Sequence, residues 1–241
     1  MAEECLLQLL DIENVKLCIS LNGYAIIIQG GLLMKIIEPC VKLENDINGD
    51  EILYHIEKAG RVCYKSENNI SEGSAEQFIR NIIKRGHESV IEHVSLTVKI
   101  ICDRGVTHEI VRHRIASYSQ ESTRYCNYSQ DKFGNELTFI KPCFWKEESE
   151  NYYIWKKTMQ NIEVAYFNLL ELGALPQEAR SILPNSLKTE IFVTMNLREW
   201  RHFLKLRTSK AAHPQMREIA IEIFKIFNDK IPIIFEDIMI E

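Results

Sequence analysis

The run Arg112-His113-Arg114-Ile115-Ala116-Ser117-Tyr118-Ser119-Gln120-Glu121-Ser122-Thr123-Arg124-Tyr125 concentrates side chains able to hold an anion. Guanidinium forks match phosphate and carboxylate in two-point fashion. Arg112, His113 and Arg114 repel one another, and an anion lodged among them relieves that repulsion. Gln120, Ser122 and Thr123 add amide and hydroxyl partners, and loop N–H groups can complete a phosphate nest. The same residues also fit a solvated basic helix end, where Arg and His favour the C-terminal pole of the dipole. Composition does not separate the two readings.

A second cluster is Gly86-His87-Glu88-Ser89-Val90-Ile91-Glu92-His93. Its histidines are six apart, where a helical zinc motif needs four, and His108 and His113 fall about 140° apart around a helix. Histidines in ordinary hydrogen-bond networks explain both pairs, and no metal is expected. A third group is Asn196, Arg198, Arg201, His202 and Arg207. At helical spacing Arg198, Arg201 and His202 share a side, which a solvated face opposite Trp200 and Leu204 would also produce. From Asn196 to Arg217 the chain carries Arg198, Arg201, Lys205, Arg207, Lys210 and Arg217 against the single carboxylate Glu199. No G-x-G-x-x-G or P-loop is present, so phosphate would have to be held some other way.

Elements positioning these groups follow from the hydrophobic pattern. Strands are expected at Lys35 to Val41, Ser95 to Cys102, Leu137 to Ile140 and Glu190 to Asn196. Helices are expected over Glu51 to Ala59, from a capping box at Ser74-Ala75-Glu76-Gln77 to Gly86, over Val106 to Arg114, from Ser149 to Leu172, after Pro176, over Leu197 to Leu206, and from Pro214 onward. Ile115 to Asp131 has no sustained period and reads as an ordered loop. The fold class expected is α/β, a single mixed α/β domain with a mainly antiparallel sheet flanked by helices. It would span residues 34–241. Residues 1–33 are rich in Leu and Ile, precede a second natural-looking start at Met34, and read as an atypical N-terminal extension.

Length and charge narrow the partners. The chain has 241 residues, 46% of them hydrophobic and 26% charged, with a net charge of −5. That balance opposes a nucleic-acid coat, and a local basic patch on an acidic chain suits a small anion better than a polymer. Seven cysteines, none spaced C-x-x-C, point to neither a disulfide scaffold nor a zinc ribbon, and the compartment reads as reducing cytoplasm. The acidic N-terminus is unlike a signal peptide, and no apolar run is long enough for a membrane span.

At Arg112-His113-Arg114-x7-Ser122 the chain resembles the flavin-dependent thymidylate synthases, whose signature is R-H-R-x7-S. Further blocks occur in the family's order: Gly60-Arg61-Val62-Cys63, Gly86-His87-Glu88-Ser89 to Glu92-His93, Ala179-Arg180-x-x-Leu183-Pro184, and Asn196-x-Arg198 to His202-Phe203 to Leu206-Arg207. The resemblance implies reductive methylation of dUMP to dTMP. It implies FAD as cofactor, NADPH and methylenetetrahydrofolate as co-substrates, and a homotetramer with active sites shared between subunits. It places His87, Ser89, Arg112, His113, Arg114, Asn196, Arg198 and His202 at the flavin. Gln120, Glu121, Ser122, Thr123, Arg124, Arg180 and Arg207 fall at dUMP. Arg207 would polarise the pyrimidine, and Ser122, with no base beside it in sequence, would position substrate instead of attacking it. Three departures stand out. Glu109 replaces a glutamine of some members and should turn to pair with an arginine. His202 replaces an asparagine. His213 and Gln215 are shifted by an insertion around Lys210.

Two other readings remain. A folate-only thymidylate synthase needs a cysteine nucleophile, but Pro142-Cys143 is followed by Phe144 and lacks the expected histidine. A binding module without catalysis, for flavin or for RNA, would need aromatics such as Tyr118, Tyr125 and Tyr128 exposed among the cations.

Overall fold

The computed structural model describes residues 17–21, 24–28, 34–130 and 134–240, the first two segments by backbone only. In chain order the elements begin β1 (Leu17–Leu21), β2 (Tyr24–Ile28), β3 (Lys35–Ile37), β4 (Cys40–Leu43), α1 (Gly49–Tyr64), α2 (Ser74–Lys84), β5 (Ser95–Asp103) and α3 (Arg104–Ile110). They continue β6 (Ala116–Gln120), β7 (Thr138–Ile140), α4 (Glu150–Glu171), α5 (Pro176–Ala179), β8 (Lys188–Asn196), α6 (Leu197–Arg207), α7 (Pro214–Lys230) and α8 (Pro232–Phe235). Short 3₁₀ turns occupy Glu67–Asn69, Glu88–His93 and Arg180–Ile182. The class is the expected one, mixed α/β with an antiparallel sheet flanked by helices. Its residues gather into two compact units interleaved along the chain.

The larger unit comprises residues 37–121, 140–146 and 185–241. Its four-stranded sheet has the order β4-β5-β8-β6, antiparallel throughout. Alternation along β5 buries Leu96, Val98, Ile100 and Cys102, and β8 buries Ile191, Val193 and Met195. The helices meet that face with Trp200, Phe203 and Leu204 of α6 and Met216, Ile219, Ile223 and Phe227 of α7. β5 and β8 pair along their whole length, Ser95 opposite Asn196 and Asp103 opposite Lys188. Asn196 caps α6 and Asp103 caps α3, so these helices leave the sheet at opposite ends. α6, about 16 Å long, runs back far enough for Arg207 to reach Glu109 near the end of α3.

The smaller unit comprises residues 1–36, 122–139 and 147–184. The hydroxyl of Ser149 caps α4, and Gly173, at φ +90°, follows its end. α4 packs against α5, which opens on Pro176, and against the Arg180–Ile182 turn. Of residues 1–33, the antiparallel hairpin β1–β2 is described; the rest of that extension lies outside the described residues.

Several expectations need correction. The strand expected over Lys35 to Val41 is two strands interrupted at Glu38-Pro39, where proline lacks a ladder donor. The loop expected over Ile115 to Asp131 begins with an edge strand, β6, whose Ser117 and Ser119 are exposed. The capping box at Ser74 does not form. Gly73, at φ +76°, is the cap, and the Ser74 hydroxyl donates to the buried Glu57 carboxylate at 2.7 Å. Helix α3 stops at Ile110, four residues short of the expectation, which leaves Arg112-His113-Arg114 beyond it.

Candidate active site

Arg207, the last residue of α6, is held from two sides. Its Nε–H donates to His113 Nε2 at 3.2 Å. One terminal nitrogen donates to the Glu109 carboxylate at 2.7 Å, and the other to the Glu109 carbonyl at 3.0 Å. A guanidinium has five N–H donors, so among the described residues two remain without an acceptor. Glu109 therefore does turn to an arginine.

His113 is only 4% exposed, and its Nδ1 lies 3.1 Å from the Glu199 carboxylate. Its ring tilts against Phe203 with centroids 4.8 Å apart. Burial pushes its pKa below the ordinary histidine value. The hydrogen bond to Glu199 opposes that shift, while the charge of Arg207 adds to it. The Tyr118 hydroxyl donates to the carbonyls of Ile110 and His113 and fixes the turn.

Arg112 and Arg114 behave differently. Both are exposed, and among the described residues neither side chain has a hydrogen-bond or ion-pair partner. The three groups of this run do not crowd together in the structure. The turn after α3 sends the imidazole inward and the two guanidinium groups into water, where solvation relieves their repulsion.

His113, Glu199 and His202 present ligand-type atoms within 4.8 Å of one another, a set that could attract a cation. Arg207 opposes it. Its Nε–H can only donate, so Nε2 of His113 must accept and the ring proton sits on Nδ1, facing Glu199. Neither ring nitrogen then offers a lone pair to a metal.

A cavity of about 540 Å³ opens beside α6, lined by Ile115, Asn196, Arg198, Glu199, His202 and Lys205, with Glu88, Glu92 and Arg201 completing the wall. Asn196 and His202 both line it. Arg198 also lines it, paired with Glu92 at 2.5 Å on the surface. Arg201 does not share a solvated face with them. It is 1% exposed and is spent on Glu88, Asp237 and the Ile234 carbonyl. His87 and Ser89 are not in this wall. His87 is exposed, with Nδ1 3.2 Å from the Tyr64 hydroxyl, and Glu88 between them takes the lining place.

Gln120 and Glu121 are engaged within the sheet. The Gln120 amide donates to the Thr107 and Thr189 hydroxyls, and Glu121 accepts from Lys188 at 3.0 Å. Within the smaller unit, Arg180 lies 3.5 Å from the hydroxyl of the buried Thr123. Ser122 forms a turn by accepting from the Tyr125 and Cys126 amides through its carbonyl, and its hydroxyl accepts weakly from the Arg124 amide at 3.4 Å. Arg124 is exposed, over the ring of Tyr125. No side-chain base is hydrogen-bonded to Ser122 among the described residues.

A family model described as thymidylate synthase complementing protein matches residues 48–233. The chain belongs to this family, that of the flavin-dependent thymidylate synthases. A relative with that name from Geobacter sulfurreducens is 36% identical over 186 residues, which cover 74% of this chain and 78% of that one. The enzyme of the same name from Pyrococcus furiosus is 42% identical over 162 residues, 67% of this chain. The match spans just under two thirds of that relative's own length, 66%. Among solved structures, a UMP/dUMP methylase, PolB from Streptomyces cacaoi, bound with 5-Br dUMP, superposes with a TM-score of 0.70. That match is at 23% identity, over 84% of this chain and 96% of that one, and it concerns the fold.

One residue of this thymidylate synthase family member escaped the sequence reading, namely Glu199. Its signal was present, since it is the lone carboxylate in the basic run from Asn196 to Arg217. The cysteine of the folate-only alternative is poorly suited to attack. Burial, reinforced by Glu218, pushes the Cys143 thiol up to about 11. Of the aromatics an RNA module would stack on, Tyr125 is 79% exposed, whereas Tyr128 is buried and Tyr118 donates inward.

Proposed function

We propose that the chain methylates dUMP to dTMP, with methylenetetrahydrofolate as one-carbon donor and NADPH-reduced FAD as hydride source. The observation that carries this reading is Arg207, rigidly held at the end of α6 with two N–H groups uncommitted. Donors fixed in advance stabilise developing charge best, because they need no reorganisation during the reaction. Arg207 would donate to the pyrimidine and stabilise the negative charge that builds on it.

The cavity beside α6 fits the ring portion of a flavin. Its volume of about 540 Å³ lies in the ordinary range for ligand pockets, Ile115 is 67% exposed at its wall, and Asn196 and His202 supply polar contacts. The wall carries carboxylates as well as cations, so a diphosphate is better served by Arg112 and Arg114, which have no carboxylate partner. His87 and Ser89, exposed on either side of Glu88, would join the flavin from outside the cavity wall. When bound, reduced FAD would supply the hydride that turns the transferred methylene into a methyl group. Thr123, Arg124 and Arg180 would take the nucleotide phosphate, and Ser122 would orient the nucleotide. Gln120 and Glu121 would act chiefly by anchoring the strand that leads to Ser122. We read the working form as a cytoplasmic homotetramer in which copies complete one another's sites.

Tritium release from 5-labelled dUMP tests the reading. Release should require FAD together with NADPH and methylenetetrahydrofolate. Release that proceeds equally without FAD, or none with all components present, would overturn it.

A further inference from the structure

We propose that Glu199 is a positioning residue for Arg207 and acts through His113. It holds the imidazole proton on Nδ1 and so keeps Nε2 as the acceptor that fixes the Arg207 Nε–H. The inference rests on Arg207 being the arginine that meets the pyrimidine.

The geometry is a continuous chain of directed bonds. Glu199 and Arg207 lie eight residues apart on α6, too far to touch, and roughly 80° apart around it. His113 enters from the turn after α3 and bridges them, 3.1 Å from Glu199 and 3.2 Å from Arg207. A neutral imidazole has one donor and one acceptor nitrogen. Arg207 favours an acceptor at Nε2 and Glu199 favours a proton on Nδ1, so the two partners select the same tautomer and removing either weakens the selection. On the far side Glu109 takes the terminal nitrogens of Arg207. The result is a guanidinium whose plane is set by two carboxylates, one in direct contact and one relayed.

Protonation would break the relay. An imidazolium donates from both nitrogens, so its Nε2–H would face the Arg207 Nε–H and add a second positive charge. The groups facing His113 are Glu199, His202 and Arg207 from α6, and Tyr118 from β6, whose hydroxyl is pushed up to about 12 and stays protonated. Glu109 of α3 lies beyond Arg207. Burial, together with Arg207 and His202, lowers the His113 pKa against the pull of Glu199, which keeps the neutral form in place further into acid. With its folded pKa below the unfolded one, His113 contributes full stability above the ordinary histidine range, about pH 6.5. That contribution declines as pH falls through the range.

The test uses ¹⁵N NMR of the full-length protein with Glu199→Gln and Glu199→Leu. Wild type should show His113 protonated on Nδ1 and an Arg207 Nε–H protected from exchange. Gln keeps an acceptor and should preserve both, with His113 titrating at lower pH because a negative charge is gone. Leu should mix the tautomers, expose the Arg207 Nε–H, and lower kcat by about 10- to 100-fold with little change in KM for dUMP. A wild-type proton on Nε2, an unchanged tautomer in Glu199→Leu, or stoichiometric Zn²⁺ binding to His113 and His202 would overturn the proposal. Should Glu199→Leu fail to fold, an unchanged His113 titration in Glu199→Gln would do the same. If the tautomer and exchange respond while kcat stays put, what fails is the pyrimidine role of Arg207, and the relay stands as structure alone.

Discussion

Arg207 and the pair Arg112 and Arg114 carry the same side chain close to the same imidazole, yet they are built for different work. Arg207 is half-buried and commits three N–H groups to His113 and Glu109. Arg112 and Arg114 stand in solvent with no partner among the described residues. Ordering an arginine costs up to about 2 kcal/mol of rotamer freedom. In Arg207 folding has already met that cost. In the other two it falls due when a ligand arrives. A group that must stabilise charge at one atom benefits from rigidity, whereas a group that must follow a flexible diphosphate benefits from reach.

Removing the rigid member should have the largest effect. Arg207→Ala is expected to lower kcat by roughly 10³-fold, the scale of losing a fixed transition-state donor, while the purified protein keeps its flavin absorbance. It would also leave Glu109 without its ion pair, so a thermal melt should accompany the kinetics. A variant that lost flavin and still bound dUMP with wild-type affinity would reverse the assignment of the two arginine types.

The exposed members should show a smaller and different loss. Arg112→Ala and Arg114→Ala are each expected to weaken FAD binding about 10-fold, with Tm unchanged, since neither holds the fold together. Because such contacts are made through water-exposed charge, the loss should shrink as salt rises. Titration of FAD at low and high salt separates this from a structural role. A lowered Tm with unaltered FAD affinity would show that these guanidinium groups do serve the fold, and the contrast with Arg207 would disappear.

The sequence made the two kinds of arginine hard to tell apart, and the reason is physical. Local signals were legible where one element decides its own fate. Pro214 opens α7, Gly173 follows the end of α4, and alternation marks β5. The inward turn of His113 depends on Glu199 and Arg207, which lie more than eighty residues away in sequence and become neighbours only through the β5–β8 pairing. Likewise β6 offers only Ala116 and Tyr118 as an inward face between the exposed Ser117 and Ser119, and this short edge strand is ordered by the ladder it joins on β8. The failed capping box at Ser74 belongs to the same class, since the partner that captured its hydroxyl, Glu57, sits on another helix. Of the candidate site, the motif positions were readable from the chain. The hydrogen-bond directions that separate a held cation from a waiting one were not.

The smallest expected effect lies outside both kinds of arginine. Cys143 is the cysteine that a folate-only reading would have to call on, and its thiol is pushed up to about 11, first by desolvation and then by Glu218. A thiol held toward its protonated form needs a base or cation to activate it for nucleophilic catalysis. Cys143→Ser should therefore leave kcat and KM for dUMP within about 2-fold of wild type. Glu218 gives a sharper control. If Cys143 were the nucleophile, Glu218→Gln would lower the thiol pKa by removing a negative charge and would shift the rise of activity to lower pH. If Arg207 carries the charge stabilisation instead, the pH profile of Glu218→Gln should superimpose on that of the wild type. A pH–rate profile for the two variants, measured beside Arg207→Ala, would decide whether the pyrimidine is activated by a covalent bond or by a fixed cation.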